Sequence, residues 1–233
     1  MMERRRARDS VCLGAGVLVL LVALAPLPAA VGNAHPLSAH MIQHVLLALV
    51  APPLLLLSVP ESVARRWLQP PMAWRVERMF GNPVAGWIAA TATLFLWHVP
   101  ALYDVGMTNG GVRIAQDVTV AITATLFWWA VASPLPEKRL SAPLSVLYLF
   151  SACAVSSVLG VIITLAPSGL YASHVAPPGG DDQQIGGLIM WVGCCVVYVS
   201  AIMLTLAHWY GASDTVRESA SPAGIALAPM EHS

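Results

Sequence analysis

Apolar residues along this chain fall into six long runs, at about residues 11–31, 37–60, 83–103, 112–133, 143–167 and 185–210. Each is near the 20 residues that a helix needs to cross a hydrocarbon core about 30 Å thick, rising about 1.5 Å per residue. Between them lie proline-rich, glycine-rich or charged stretches such as 134–142 and 167–184. The pattern predicts an all-α integral membrane protein, a bundle of about six transmembrane helices. Nothing repeats at 20–50 residues, which excludes a solenoid.

The placement of basic residues predicts orientation. Arg4, Arg5, Arg6 and Arg8 precede the first run, and Arg65, Arg66, Arg75 and Arg78 separate the second from the third. Lys138 and Arg139 separate the fourth from the fifth, and Arg217 follows the sixth. Only Arg113 falls on the opposite side, so the amino terminus and alternate loops are expected in the cytoplasm. The chain divides into a basic start and first span (1–36), a helical membrane domain (37–210) and a polar cytoplasmic tail (211–233) expected to be disordered.

The first span has a second reading. An arginine-rich start, an apolar run and Gly32-Asn33-Ala34 before His35 resemble a secretory signal. Cleavage there would leave five spans, and a free amine beside the His35 imidazole would suit divalent copper. Residues 61–82 mix Trp67, Met72, Trp74, Met79 and Phe80 with four arginines, as an amphipathic segment lying on a leaflet does.

Composition agrees with this picture. The chain is 57% hydrophobic and 10% charged with no net charge, and its mean hydropathy is +0.70. A soluble domain carries roughly 25% charged residues, and a neutral chain gives no argument for nucleic acid. Cys12, Cys153, Cys194 and Cys195 lie inside the spans and read as small buried hydrophobes. Phosphate-binding glycine loops and nucleophile elbows are absent from the sequence. Gly186-Gly187 reads as a close helix contact.

The candidate chemistry is at the outer face. Of seven histidines, His35, His40, His44, His98 and His174 map there, and His208 and His232 to the cytoplasmic side. His40 and His44 share one helical face, one turn apart, which suits two imidazoles on one metal. Counted at about 1.5 Å per residue, His44 lies roughly 10 Å below the outer surface, and His98, Asp117 and Met190 about 8 Å below it. Ionisable groups at such depth are costly and mark interior sites. Imidazole and thioether together point to copper, the cuprous ion above all. A simpler reading is that single histidines only join helices by hydrogen bonds. Arg113 and Asp117, four apart, can form a local ion pair at the lip of the fourth span, or Asp117 can orient an imidazole. Pro52-Pro53 deprives the carbonyls of Ala48 and Leu49 of their donors, a break tolerated only where a neighbouring helix or water supplies others.

Four stretches in order resemble the CtaG family of membrane cytochrome c oxidase assembly factors. They are His40-Met41-Ile42-Gln43-His44 with Ala51-Pro52-Pro53-Leu54-Leu55, Trp97-His98-Val99-Pro100 with Tyr103-Asp104, Phe127-Trp128-Trp129, and residues 182–191 from Asp182-Gln183-Gln184 to Met190-Trp191. The resemblance implies a bacterial plasma-membrane protein that matures a caa-type haem–copper oxidase by helping copper reach the catalytic subunit, with no turnover of its own. It implies oxidase subunits and a copper chaperone as partners. It matches His40, His44 and His98 to the family's histidine positions, as metal ligands, and Asp182 to its polar signature; Asp182 is a secondary metal candidate, as are Asp117 and Met190 by their depth. Where relatives carry a second His-x-x-x-His pair, this chain has Arg113 and Asp117. The alternatives are a metal-free scaffold for oxidase assembly, a b-type haem protein using His44 and His98, and a small copper transporter.

Overall fold

The computed structural model describes residues 2–25, 35–167, 169–171 and 181–220, and these form helices with no strand among them. In chain order they are α1 (Met2–Leu24), α2 (Pro36–Val45), a π-helical turn (Leu46–Val50), α3 (Ala51–Ser58), α4 (Glu61–Trp67) and α5 (Pro71–Phe80). Then come α6 (Pro83–Trp97), α7 (Pro100–Thr108), α8 (Gly110–Ala132), a 3₁₀ turn (Pro136–Lys138), α9 (Ala142–Leu165) and α10 (Asp182–Ala220). Five of the resulting stretches are long and apolar enough to cross a membrane, or six when the bent pair α6–α7 counts as one.

The distribution of polarity is that of a protein dissolved in lipid. Val11, Ile114 and Leu165 are 68%, 65% and 78% exposed, whereas His40, Gln116, Ser133 and Ser145 are buried. An apolar exterior around a partly polar interior follows when the solvent is hydrocarbon, because polar groups then gain most by meeting one another.

The third predicted span needs correction. Its helix does not run straight to Tyr103; α6 ends at Trp97 and α7 leaves at 74°. Pro100 is the cause. A residue before proline is driven out of the α region, and Val99 accordingly sits at φ −63°, ψ 124°. Pro100 then occupies the first turn of α7, where its missing N–H costs nothing.

The double proline in the second span acts through its carbonyls. Residues 46–50 widen into a π turn, and the Ala48 carbonyl finds no N–H four or five residues on, since both are proline. Trp128 of α8 supplies the donor: its Nε1–H reaches Ala48 O at 3.0 Å. The break in one span is thus closed by a side chain of another.

Close helix contacts fix the rest. A Cβ at Gly160 of α9 would stand 2.7 Å from Trp191 Cβ of α10, and one at Gly186 would stand 3.0 Å from Leu37 of α2. The expectation that Gly186 and Gly187 admit close packing therefore holds.

The basic loops share one end of the bundle. Arg65 bridges Glu61 at 2.7 Å and Glu137 at 2.8 Å, while Lys138 meets Glu77 at 2.8 Å. These pairs join residues 61–77 to residues 137–138. Burial, with the nearby Arg8 guanidinium, lowers the Arg139 pKa, which places the start of α1 at the same end. Trp67 and Met72 point outward, 58% and 73% exposed, as a leaflet-lying segment requires. Helix α10 runs through to Ala220, so the start of the tail is helical. Residues 221–233, His174 and the Gly32-Asn33-Ala34 signal lie outside the described residues.

Trp128→Phe is expected to lower stability by about 1 kcal/mol, the usual net value of one buried hydrogen bond. In a Pro52→Ala background the loss should shrink, because residue 52 then offers Ala48 an N–H. Thermal unfolding of the four proteins in detergent checks this, and equal losses in both backgrounds would contradict the account.

Candidate metal site

Helix α2 presents His40 and His44 one turn apart, and the α6–α7 bend brings His98 against them. All three are nearly sealed, at 2%, 5% and 5% exposure. The His40 and His44 ring centroids are 4.2 Å apart, and those of His44 and His98 are 5.6 Å apart and edge-on. The three histidines that the depth argument singled out thus lie side by side.

The bend also sets the state of His98. Its backbone N–H turns to the Phe95 carbonyl, which leaves the Leu94 carbonyl for the side chain, and Nδ1 lies 2.6 Å from Leu94 O. A carbonyl only accepts, so Nδ1 carries the proton and Nε2 holds a lone pair. That nitrogen is buried with no hydrogen-bond partner among the described residues, as are both nitrogens of His44. A metal-binding histidine is commonly prepared in this way, one nitrogen tied to a carbonyl and the other left bare.

An aromatic cover closes the outer side. The His40 ring meets Tyr103 edge-on at 4.9 Å, Tyr103 packs on Tyr171 at 4.4 Å, and the Tyr171 hydroxyl donates to His98 O at 3.2 Å. Burial, then the Asp104 carboxylate, pushes the Tyr171 phenol up to about 12, so it stays a donor at neutral pH. The sequence marks Tyr103 only as part of a family-like stretch and Tyr171 not at all, since aromatic residues near a span end read equally well as an interface belt.

Beneath the histidines a cavity of about 60 Å³ opens between α2, α6, α8, α9 and α10, with His44, Met41, Met190 and Cys194 in its wall. It is far below the roughly 300 Å³ at which pockets for organic ligands begin. It suits an ion or a few waters.

The secondary candidates have other partners. Both oxygens of Asp182 are taken by the start of α2: Leu37 N–H donates at 2.8 Å, Ser38 N–H at 3.0 Å, and the Ser38 hydroxyl adds a third bond. A carboxylate from the last span thus caps the helix that carries His40 and His44. His35 is a further 3.8 Å neighbour of that carboxylate. Asp117 lies 3.5 Å from Arg113, the local pair that the spacing allowed. Arg113 also donates to Gln43 Oε1 at 2.6 Å, and Gln43 Nε2 to Ala25 O at 3.0 Å, tying α8, α2 and the end of α1 together. Met190 alone of the three faces the histidines' cavity. Among the described residues no three His, Cys, Asp or Glu side chains are disposed to hold a metal ion. A metal at the imidazoles must draw on a small rotation or on sulfur.

The family model of the cytochrome c oxidase caa3 assembly factor (Caa3_CtaG) matches residues 2–212. The chain belongs to this family. As a Caa3_CtaG protein it is a member of a family of oxidase assembly factors, and the resemblance read from the four sequence stretches is thereby confirmed. It is also similar to uncharacterised proteins of Mycobacterium leprae, at 22% identity, and of Mycobacterium bovis and Mycobacterium tuberculosis, each at 23%. Each match covers 74% of this chain and 30% of the relative, so the chain spans about a third of the length of these relatives. No solved structure matches it.

Asp182→Ala is expected to cost about 1–3 kcal/mol, since buried N–H groups at the start of α2 lose their acceptor. Asp117→Asn, touching only a part-exposed pair, should cost under about 1 kcal/mol. Thermal unfolding of both variants checks the division, and the opposite ranking would contradict it.

Proposed function

We propose that this chain assists copper delivery to the catalytic subunit of a haem–copper oxidase, taking the ion on His40, His44 and His98. The observation that carries the proposal is the bare, buried Nε2 of His98 beside His44, whose two nitrogens are likewise without a partner among the described residues. Leaving such groups unpaired costs roughly 1–3 kcal/mol each, a cost that binding a cation would offset. Imidazole suits several divalent metals; Met190, which lines the same cavity as His44, shifts the preference toward cuprous copper. The edge-on contact of His44 and His98, with ring centroids 5.6 Å apart, leaves no gap for a porphyrin between them and favours an ion over the haem reading.

In this reading the chain binds and hands on an ion and turns over no substrate. Its basic end faces the cytoplasm of a bacterial cell and its histidines open toward the outer side of the plasma membrane. Leu94 O holds the His98 ring, the Asp182 cap holds α2, and the tyrosine cover keeps water from competing for the bare nitrogens. The oxidase subunit is the recipient and a copper chaperone the donor.

Detergent-purified protein under reducing conditions is expected to hold about one cuprous ion per chain, and His40→Ala/His44→Ala/His98→Ala none. In cells His44→Ala and His98→Ala should accumulate normally but lower oxidase activity. Copper in neither purified protein would leave a metal-free assembly scaffold as the function.

A further inference from the structure

The cavity below the histidines holds donors that the imidazole site does not use. Two helices supply them by simple periodicity. Met41 and His44 are three apart on α2, and Met190 and Cys194 are four apart on α10, so each pair lies on one face. The two faces meet across the cavity. Met41, Met190 and Cys194 are 0%, 3% and 5% exposed, so lipid does not reach them. His44 belongs to both places, packed against the outer imidazoles and also lining the cavity, its two nitrogens without a hydrogen-bond partner among the described residues.

We propose that this cavity is a second station for the same cuprous ion, with His44, Cys194, Met41 and Met190 as its donors. The proposal rests on the copper reading above and adds where the ion goes next, from an imidazole site to a sulfur site through a shared ligand. Soft thiolate and thioether donors select Cu(I) among the available metals. The approximately 60 Å³ volume has room for an ion held by these side chains.

Charge decides which sulfur matters most. A lone cation in hydrocarbon is strongly disfavoured unless paired. On entry of Cu(I) the Cys194 S–H bond breaks, an S–Cu bond forms, and the proton leaves to water at the outer face. The cavity stays neutral and copper remains in the +1 state, so no oxidant or reductant is needed. Methionines alone could not neutralise the ion, and Cys194 is the thiol in the wall of this cavity. Cys153 and Cys195 lie elsewhere on the α9–α10 seam, with their sulfurs 3.6 Å apart.

Copper K-edge absorption of the purified protein loaded with one equivalent of Cu(I) tests this without an oxidase assay. The unmutated protein is expected to show both nitrogen and sulfur neighbours. Cys194→Ser, nearly isosteric, should weaken the sulfur signal and Met41→Leu/Met190→Leu/Cys194→Ser should lose it, both keeping copper on nitrogen and binding at least tenfold more weakly. Nitrogen neighbours alone in the unmutated protein would overturn the second station and leave the imidazole site standing. Sulfur neighbours alone, unchanged by His40→Ala/His98→Ala, would overturn the imidazole site and leave the cavity. No bound copper in the unmutated protein would overturn both.

Discussion

Inside a membrane a polar group has no water to fall back on, and the arrangement of this bundle follows from how each one is satisfied. The Ala48 carbonyl, stripped of its donor by two prolines, is met by Trp128. The open start of α2 is met by Asp182, 145 residues away from Leu37 in sequence. The His98 ring is turned by the Leu94 carbonyl that the helix end released. Against that discipline the bare nitrogens of His44 and His98 stand out. In the copper reading proposed above, the ion completes them.

The same devices that solve backbone problems position the site. Pro100 ends α6 and turns the chain through 74°, and His98 sits at the vertex because Trp97-His98-Val99-Pro100 puts it two residues before the proline. Pro52-Pro53 and the π turn widen the second span just after His44, where Val45, Ala48 and Leu49 line the cavity. Asp182 binds the last span to the second, which brings Met190 and Cys194 opposite Met41 and His44. Backbone strain relief and donor placement are carried by the same signature residues.

Much of this is legible in the sequence. Hydropathy runs and basic loops read out the spans and the shared end of the bundle, because both depend on local composition. His40, His44 and His98 are found by spacing and depth, and the pairing of Arg113 with Asp117 by the i, i+4 rule. Asp182 is harder: its partners are backbone N–H groups of a distant helix, which no local pattern announces. Its apparent suitability as a ligand and its actual work as a cap use the same carboxylate. Cys194 reads as a small hydrophobe until α10 is packed against α2. The bend at Pro100 was written in the chain, but an unbroken apolar run outweighed one proline.

The state of the His98 ring tests the central claim most directly. Nitrogen-15 NMR of histidine-labelled protein in detergent, titrated with cuprous ion under reducing conditions, reads each imidazole nitrogen separately. Nε2 of His98 and a nitrogen of His44 should shift as copper is added, while His98 Nδ1 keeps its proton and its bond to Leu94. Imidazole resonances that stay unchanged at one equivalent of copper would contradict the account and return these histidines to helix packing alone.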